Sequence, residues 1–215
     1  MTIRLEIDPV KSDDRPLAEA VEILRTGGVI AFPTETFYGL GADARRDAAV
    51  EKIFGMKGRN FRNPISVIVD TSREVIPLVE EIPAAAQILM QKFWPGALTM
   101  IFAASPAVLP RLTAGTGKIG IRVSSSLIAG LLAKGLAGPL TATSANLSGG
   151  RECSTADEVI RVFGKSLDAV IDGGTTTGGL GSTILDVTVS PPLIRREGVV
   201  SRTDIIAALG GIPPR

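Results

Sequence analysis

Histidine is absent from this sequence, and cysteine occurs once, at Cys153. Without histidine the protein cannot use a Ser-His-Asp or Cys-His arrangement, an imidazole general base or a histidine metal ligand. A single cysteine excludes an internal disulfide bond and a cysteine cluster that holds zinc or iron–sulfur. The chemistry must therefore rely on lysine, arginine, carboxylate, hydroxyl and backbone amide groups, or on reactive groups that a substrate supplies.

The net charge is close to zero, and aromatic residues and long apolar runs are scarce. The 23 basic residues nearly balance the 22 acidic residues, so the net charge of +1 gives no global attraction to nucleic acid. Aromatic residues make up 4% of the chain and offer few surfaces on which bases could stack. No segment approaches the roughly 20 apolar residues that span a bilayer, and the N-terminus lacks the apolar core of a signal peptide. We expect a cytoplasmic protein with no membrane partner.

Alternating apolar patterns predict one α/β domain over residues 1–215, with a mixed sheet. A hydrophobic content of 45% in 215 residues is sufficient for a packed core. Strands are predicted at 3–7, 29–34, 65–70, 98–104, 119–123, 140–145, 169–171, 182–187 and 193–196. Helices are predicted at 15–26, 47–56, 83–93, 126–134, 155–163 and 203–209.

Segments rich in glycine and hydroxyl groups follow several of the predicted strands. Segments 33–44, 139–150 and 172–187 combine threonine, serine or asparagine with glycines, which allow a ligand to approach the backbone closely. Ligands of open α/β sheets lie beyond strand ends, so these segments are candidate binding loops. A hydrogen-bonded turn is the alternative for 33–44 and 139–150 when each is taken alone. A surface loop is the alternative for 172–187, although its connection to a strand that begins with hydroxyl groups favours a ligand lid or wall.

A basic stretch at 45–62 contains six lysine and arginine residues, and the local excess is three positive charges when Asp43 is counted. Lys57 and Arg59 follow a predicted helix and suit phosphate or carboxylate groups, whereas a solvated helix face explains the earlier cations. Segment 93–99 contains the only tryptophan and favours a structural role. No Walker loop or GxGxxG motif is present. The combined pattern favours a small anionic ligand such as a nucleotide, with positioning and charge neutralisation as the catalytic means.

The chain contains, in order, the motifs PTETFYGLGADA, KGRNFRNPISVIV, FWPGALT, IGIRV, TATSANLSGG, GSTILDV and RREG. These motifs resemble those of the YrdC/Sua5 (SUA5/YciO/YrdC) family of L-threonylcarbamoyladenylate synthases, over about residues 12–208. The resemblance implies a YrdC/RibB-like α/β fold, in which helices pack around a twisted mixed β-sheet with a large, concave, positively lined cleft. It also implies the short form of the family, without the C-terminal Sua5 domain.

The resemblance further implies a nucleotidyltransferase reaction. L-threonine, bicarbonate and ATP give threonylcarbamoyl-AMP and pyrophosphate, and the product serves the formation of N6-threonylcarbamoyladenosine at position 37 of tRNA. Mg²⁺ would accompany ATP, with no metal cluster ligated by the protein. The implied partners are the tRNA-modifying threonylcarbamoyl transferase complex and, in addition, tRNA or double-stranded RNA.

The resemblance assigns site residues by motif, in three overlapping groups. The catalytic set comprises Lys57, Arg59, Ser144 and Asn146. The L-threonine pocket comprises Thr36, Arg122, the backbone at Ala142, and Ser182. The ATP contacts comprise Arg59, Asn63, the backbone of Lys118, Ser144 and Arg196. In these roles Lys57 and Arg59 would meet phosphate or carboxylate oxygens, and Arg122 would bind the amino-acid carboxylate bidentately.

The sequence departs from the family pattern in four places. Ile68 stands where many members have histidine, Glu152-Cys153 replaces Ser-Pro, Ser124 replaces proline, and Gly181 replaces glutamate. A YciO-like protein that mainly binds double-stranded RNA, tRNA or nucleotides is therefore the alternative. The carbamoyl-transfer proteins of hydrogenase maturation share the fold, but they add zinc-finger and acylphosphatase modules for which this sequence lacks the cysteines and the length.

Overall fold

Short strands and helices alternate along the chain in the computed structural model, which describes residues 2–7, 14–58, 63–211 and 213–214. The strands are β1 (Ile3–Glu6), β2 (Ile30–Pro33), β3 (Tyr38–Gly41), β4 (Val67–Ile68), β5 (Leu98–Ala103), β6 (Lys118–Arg122), β7 (Leu140–Thr141), β8 (Thr143–Ser144), β9 (Ala169–Asp172), β10 (Thr183–Asp186) and β11 (Leu193–Arg196). The α-helices are α1 (Arg15–Arg25), α2 (Asp47–Lys57), α3 (Ala84–Phe93), α4 (Pro110–Thr113), α5 (Leu127–Leu136), α6 (Ala156–Phe163) and α7 (Arg202–Ala208). The predicted α/β class is confirmed.

Four elements escape the sequence prediction: β3, the short helix α4 and two 3-10 helices, at Ser72–Leu78 and Gly164–Ser166. Strand β3 has the sequence YGLG, and glycine is depleted in strands. Here glycine is required by close packing, because a Cβ at Gly41 would lie 2.7 Å from Cε1 of Phe32. Strand β3 pairs with β2 along its whole length, from Tyr38 to Gly41.

The described strands form two mixed sheets instead of the single mixed sheet that the sequence predicts. One sheet has the order β1-β9-β2-β3-β8, and the other has the order β11-β10-β5-β6-β4-β7. Each sheet contains parallel and antiparallel neighbours; β2 is parallel to β9 but antiparallel to β3. Apolar patterning identifies a buried strand but not its partner, so the division into two sheets is a tertiary result.

The two sheets meet at the segment Leu140–Ser144, which was predicted as part of one strand. Strand β7 pairs with β4 in the second sheet, whereas β8 pairs with β3 in the first. Between them the Ala142 amide donates to the carbonyl of Ser66 at 2.8 Å. The chain thus passes from one sheet to the other within five residues, and the polar groups of residues 142–144 lie at the junction.

Helices α1 and α5 cover one side of the first sheet. Val21 and Leu24 of α1 share a buried apolar cluster with residues of α5 and β2, and Leu24 is fully buried. The helices approach closely at Gly135, where an added Cβ would lie 2.7 Å from Val21. Gly27, with a φ of +90°, turns the chain after α1 into β2. Within the described ranges no helix combines the length and apolar character required to cross a bilayer.

Replacement of Leu24 by alanine should test this packing. We expect Leu24→Ala to lower the free energy of unfolding by about 3 kcal/mol, because buried apolar surface is lost and a cavity remains. Chemical denaturation of both proteins measures the difference. Leu127 on α5 is 75% exposed, so the control variant Leu127→Ala should change stability by less than about 0.5 kcal/mol. Equal effects of the two substitutions would contradict the assigned packing.

Candidate functional site

A cleft of about 190 Å³ lies where the two sheets meet. Its walls come from the turn between β2 and β3, from the junction segment, and from β4, β5, β6, β10 and β11. The hydroxyl groups of the lining include Thr34, Thr36, Ser66, Thr99, Ser144 and Ser182. The charged groups of the lining are two guanidinium groups, Arg122 and Arg196, and the carboxylate of Glu152. Such a surface suits an anionic ligand that also carries hydrogen-bonding groups.

Arg122 ends β6 and is almost completely buried, with 7% of its surface exposed. Its Nη1 lies 3.0 Å from Oε1 of Glu35, which follows β2 in the PTET turn. Burial lowers the pKa of Arg122, and nearby Arg196 acts in the same direction, while the Glu35 carboxylate opposes both. Arginine keeps its charge under such conditions. The ion pair therefore holds a positive group at the inner end of the cleft.

The opposite wall of the cleft is built around Arg196 and Ser182. The Nη2 of Arg196 donates to the backbone carbonyl of Ser182 at 2.8 Å, and the Ser182 hydroxyl lies 3.1 Å from that of Thr99. A Cβ at Gly181 would lie 3.1 Å from Nη2 of Arg196. The glycine at this position, where the family pattern has glutamate, thus leaves room for the arginine.

The Ser-x-Asn loop lies between this cleft and an outer cavity. The Ser144 hydroxyl donates to Oδ1 of Asn146 at 2.6 Å, and Nδ2 of Asn146 donates to the Gly150 carbonyl at 2.7 Å. The ammonium group of Lys57, which is 3% exposed, donates to the carbonyls of Ser144 and Asn146, the latter at 2.8 Å. Lys57 therefore stabilises the loop from behind and is not part of the cleft lining.

The outer cavity has a volume of about 680 Å³. It shares Phe37, Ser144, Glu152 and Arg196 with the inner cleft, so the two spaces are continuous. Asn146 and Arg151 add further polar groups to its lining. A small ligand in the inner cleft and a longer, nucleotide-sized ligand in the outer cavity could therefore meet at Ser144 and Arg196.

The predicted site residues fall into two groups in the structure. Those that line one or both cavities are Thr36, Arg122, Ala142, Ser144, Asn146, Ser182 and Arg196. Asn63 is exposed and lines neither cavity. Lys118 begins β6, about 13 Å along the strand from Arg122, and its ammonium group binds Asp186 at 2.9 Å. Arg59 lies outside the described residues. The functional roles of all these residues stay predictions.

Two residues of the cleft region escaped the sequence analysis: Thr99 in the lining and Glu35 beside it. Thr99 lies in the segment 93–99, to which a structural role was assigned, and that role fits Trp94, whose Nε1 donates to the Leu98 carbonyl at 2.6 Å. Thr99 nonetheless faces the cleft. Glu35 was visible only as one polar residue among others, because no local pattern indicates its pairing with Arg122. Ile68, by contrast, is fully buried and does not line the cleft.

The described residues contain no group of three or more histidine, cysteine, aspartate or glutamate side chains that could hold a metal ion. Cys153 is buried, and burial raises the pKa of its thiol. The thiol is therefore protonated at neutral pH and is a poor nucleophile. The acidic residue that lines both cavities is Glu152.

Comparison with protein families finds one model that matches residues 22–198, that of Sua5, YciO and YrdC, which is described as telomere recombination. The chain is also similar to a protein of Bacillus subtilis (strain 168) named threonylcarbamoyl-AMP synthase. The two are 38% identical over 206 residues, which cover 95% of this chain and 60% of that protein. The chain thus spans about 60% of the length of this curated relative.

Two solved structures are similar over nearly the whole chain. The first is P. abyssi Sua5 in complex with L-threonine, with 33% identity and a TM-score of 0.93; the match covers 100% of this chain and 62% of that chain. The second is E. coli YciO, with 30% identity and a TM-score of 0.85; the match covers 93% of this chain and 97% of that chain.

Lys57→Met should test the support that Lys57 gives to the Ser-x-Asn loop. The substitution leaves buried carbonyl groups of Ser144 and Asn146 without their donor, so we expect a loss of about 2–4 kcal/mol of unfolding free energy. Thermal and urea denaturation measure this loss. Lys52, on the same helix, donates to the Gly27 carbonyl at the surface, and Lys52→Met should cost less than about 1 kcal/mol. A fully stable Lys57→Met protein would refute the structural role.

Proposed function

Because the chain belongs to the Sua5/YciO/YrdC family, we propose that it is an L-threonylcarbamoyladenylate synthase, a nucleotidyltransferase. The observation that supports this proposal most directly is the cleft. A buried arginine among hydroxyl groups lies at its inner end, and the space continues past Ser144 and Arg196 into the outer cavity. An amino acid and a nucleotide are ligands of the sizes and charges that these two spaces accept.

In the first step the threonine amine attacks CO₂ that is released from bicarbonate. A C–N bond forms and the product is a carbamate anion. The proton that the amine loses combines with the hydroxide that bicarbonate leaves when it releases CO₂, and water is formed. Arg122 binds the threonine carboxylate, and Thr36 and Ser182 provide hydroxyl groups near the amino acid. The task of these residues is orientation, which alone can account for a large part of a rate enhancement.

In the second step a carbamate oxygen attacks the α-phosphorus of ATP. The new P–O bond forms as the bond to the β-phosphate bridging oxygen breaks, and pyrophosphate leaves with that electron pair. Arg196 and the Ser-x-Asn loop at Ser144 bind the phosphate region, and Mg²⁺ enters with ATP as part of the substrate. The nucleophile belongs to the substrate, so the enzyme needs neither a histidine base nor a reactive cysteine.

The product, threonylcarbamoyl-AMP, is an activated acyl donor that a second enzyme must consume. We propose that a tRNA-modifying threonylcarbamoyl transferase complex in the cytoplasm takes the group to adenosine 37 of tRNA. In this scheme the protein does not require a high affinity for tRNA. The near-zero net charge agrees with a low affinity for tRNA.

The second candidate is a YciO-like protein that mainly binds RNA or nucleotides, and it is favoured by the 97% coverage of E. coli YciO. The basic stretch gives it weak support. Arg45 pairs with Asp43, Lys52 binds a backbone carbonyl and Lys57 is buried. Binding to phosphates through this stretch should weaken steeply with salt.

Pyrophosphate release distinguishes the two candidates. We expect release only when ATP, L-threonine and bicarbonate are all present, and the omission of threonine should reduce the rate to background. Ser144→Ala should lower kcat by about 10²-fold, since the hydroxyl group beside the phosphate region and its hydrogen bond to Asn146 are both lost. The control Ser72→Ala changes an exposed serine that is not among the residues lining the cleft and should leave the rate unchanged. Release that is independent of threonine, together with salt-sensitive RNA binding, would overturn the synthase in favour of the second candidate.

A further inference from the structure

The Glu35 carboxylate lies behind Arg122 and is not among the residues that line the cleft. Its Oε2 accepts a short hydrogen bond from the Ser124 hydroxyl. Its Oε1 is buried and lies 3.0 Å from Nη1 of Arg122 in an ion pair, and it has no hydrogen-bond partner among the described residues. Glu35 therefore contacts Arg122 through one carboxylate oxygen, Oε1, while the other oxygen is held by Ser124.

Ser124 is itself held in place. Its hydroxyl oxygen accepts a hydrogen bond from the Ser126 amide at 3.2 Å, and the Ser126 hydroxyl donates to the Pro33 carbonyl at 3.0 Å. Ser126 also caps α5 through the Ala129 amide. The carboxylate is thus attached to both the end of β2 and the start of α5, and its position is set by the backbone.

The Arg122 side chain makes no hydrogen bond with any of the described residues, although it is almost fully buried and faces the cleft. A guanidinium has five N–H donors in a plane, and one contact with Glu35 leaves donors for a second carboxylate. Without Glu35 a buried guanidinium would have no opposite charge beside it, and its orientation would be set only by packing.

We propose that Glu35, held by the Ser124 hydroxyl, is a positioning residue that orients the Arg122 guanidinium so that its remaining donors bind the carboxylate of an amino-acid ligand. This inference rests on the proposed function for the identity of that ligand. Glu35 acts through Arg122 and touches no substrate.

Calorimetric titration without ATP tests the proposal, with L-threonine and with L-threoninamide, which has a carboxamide in place of the carboxylate. We expect the unaltered protein to prefer the acid over the amide. Glu35→Gln preserves the shape of the side chain but removes its charge, so affinity for L-threonine should fall by about tenfold while affinity for the amide changes little. Ser124→Ala, a milder change, should lower affinity for L-threonine by about threefold in the same way.

Asp47→Asn is the matched control, because Asp47 accepts two hydrogen bonds from Arg111 in a surface ion pair away from the cleft. It should leave both affinities unchanged. If Glu35→Gln fails to fold, Ser124→Ala carries the test, because it leaves the ion pair in place.

Three results would overturn the positioning role: an unchanged preference for the acid, a parallel loss of both ligands, or tighter binding of L-threonine by Glu35→Gln. A protein that does not distinguish the acid from the amide before any substitution would instead count against the proposed function. The two failures are therefore distinguishable.

Discussion

The segment Leu140–Ser144 pairs with two sheets in succession, and the cleft exists because of this crossing. Thr141 donates its amide to the Ala42 carbonyl, and Ala142 donates its amide to Ser66, at 2.9 and 2.8 Å. Because Leu140–Thr141 pair with one sheet and Thr143–Ser144 with the other, the two sheets separate on either side of this segment. The space between them is lined by strand ends, and strand ends are where this sequence concentrates its hydroxyl groups.

The chemistry of the cleft follows from what surrounds its two arginines. Arg122 is held by a carboxylate and Arg196 by the backbone of Ser182, so neither needs to be reorganised when an anionic ligand arrives. Fixed positive groups of this kind stabilise charge in a water-poor space better than mobile ones do. A reaction whose nucleophile is carried by the substrate fits such a site, and the absence of histidine is consistent with it.

A residue of a predicted binding motif can support the site from behind instead of lining it. The Lys-x-Arg motif was predicted as a pair of ligand-binding cations, yet Lys57 stabilises the Ser-x-Asn loop through backbone carbonyls. Three of the residues that depart from the family pattern also have different structural roles. Gly181 makes room for Arg196, Ser124 donates a hydrogen bond to Glu35, and Ile68 is part of the core. Sequence proximity to a site therefore says little about whether a side chain contacts ligand or supports its neighbours.

The sequence by itself determined the α/β class, most helices and strands, and the motifs that carry the family resemblance. Apolar periodicity and capping glycines are local properties, so α1, α2, α5 and α6 could be predicted from short windows. Strand β3 could not, because Gly41 is explained only by the close packing of the Phe32 and Leu140 side chains. Only the tertiary structure decided that residues 140–144 divide between two sheets, that Glu35 meets Arg122 and that Lys57 lies behind the cleft. Each of these depends on pairings between residues far apart in the chain, and no local pattern encodes them.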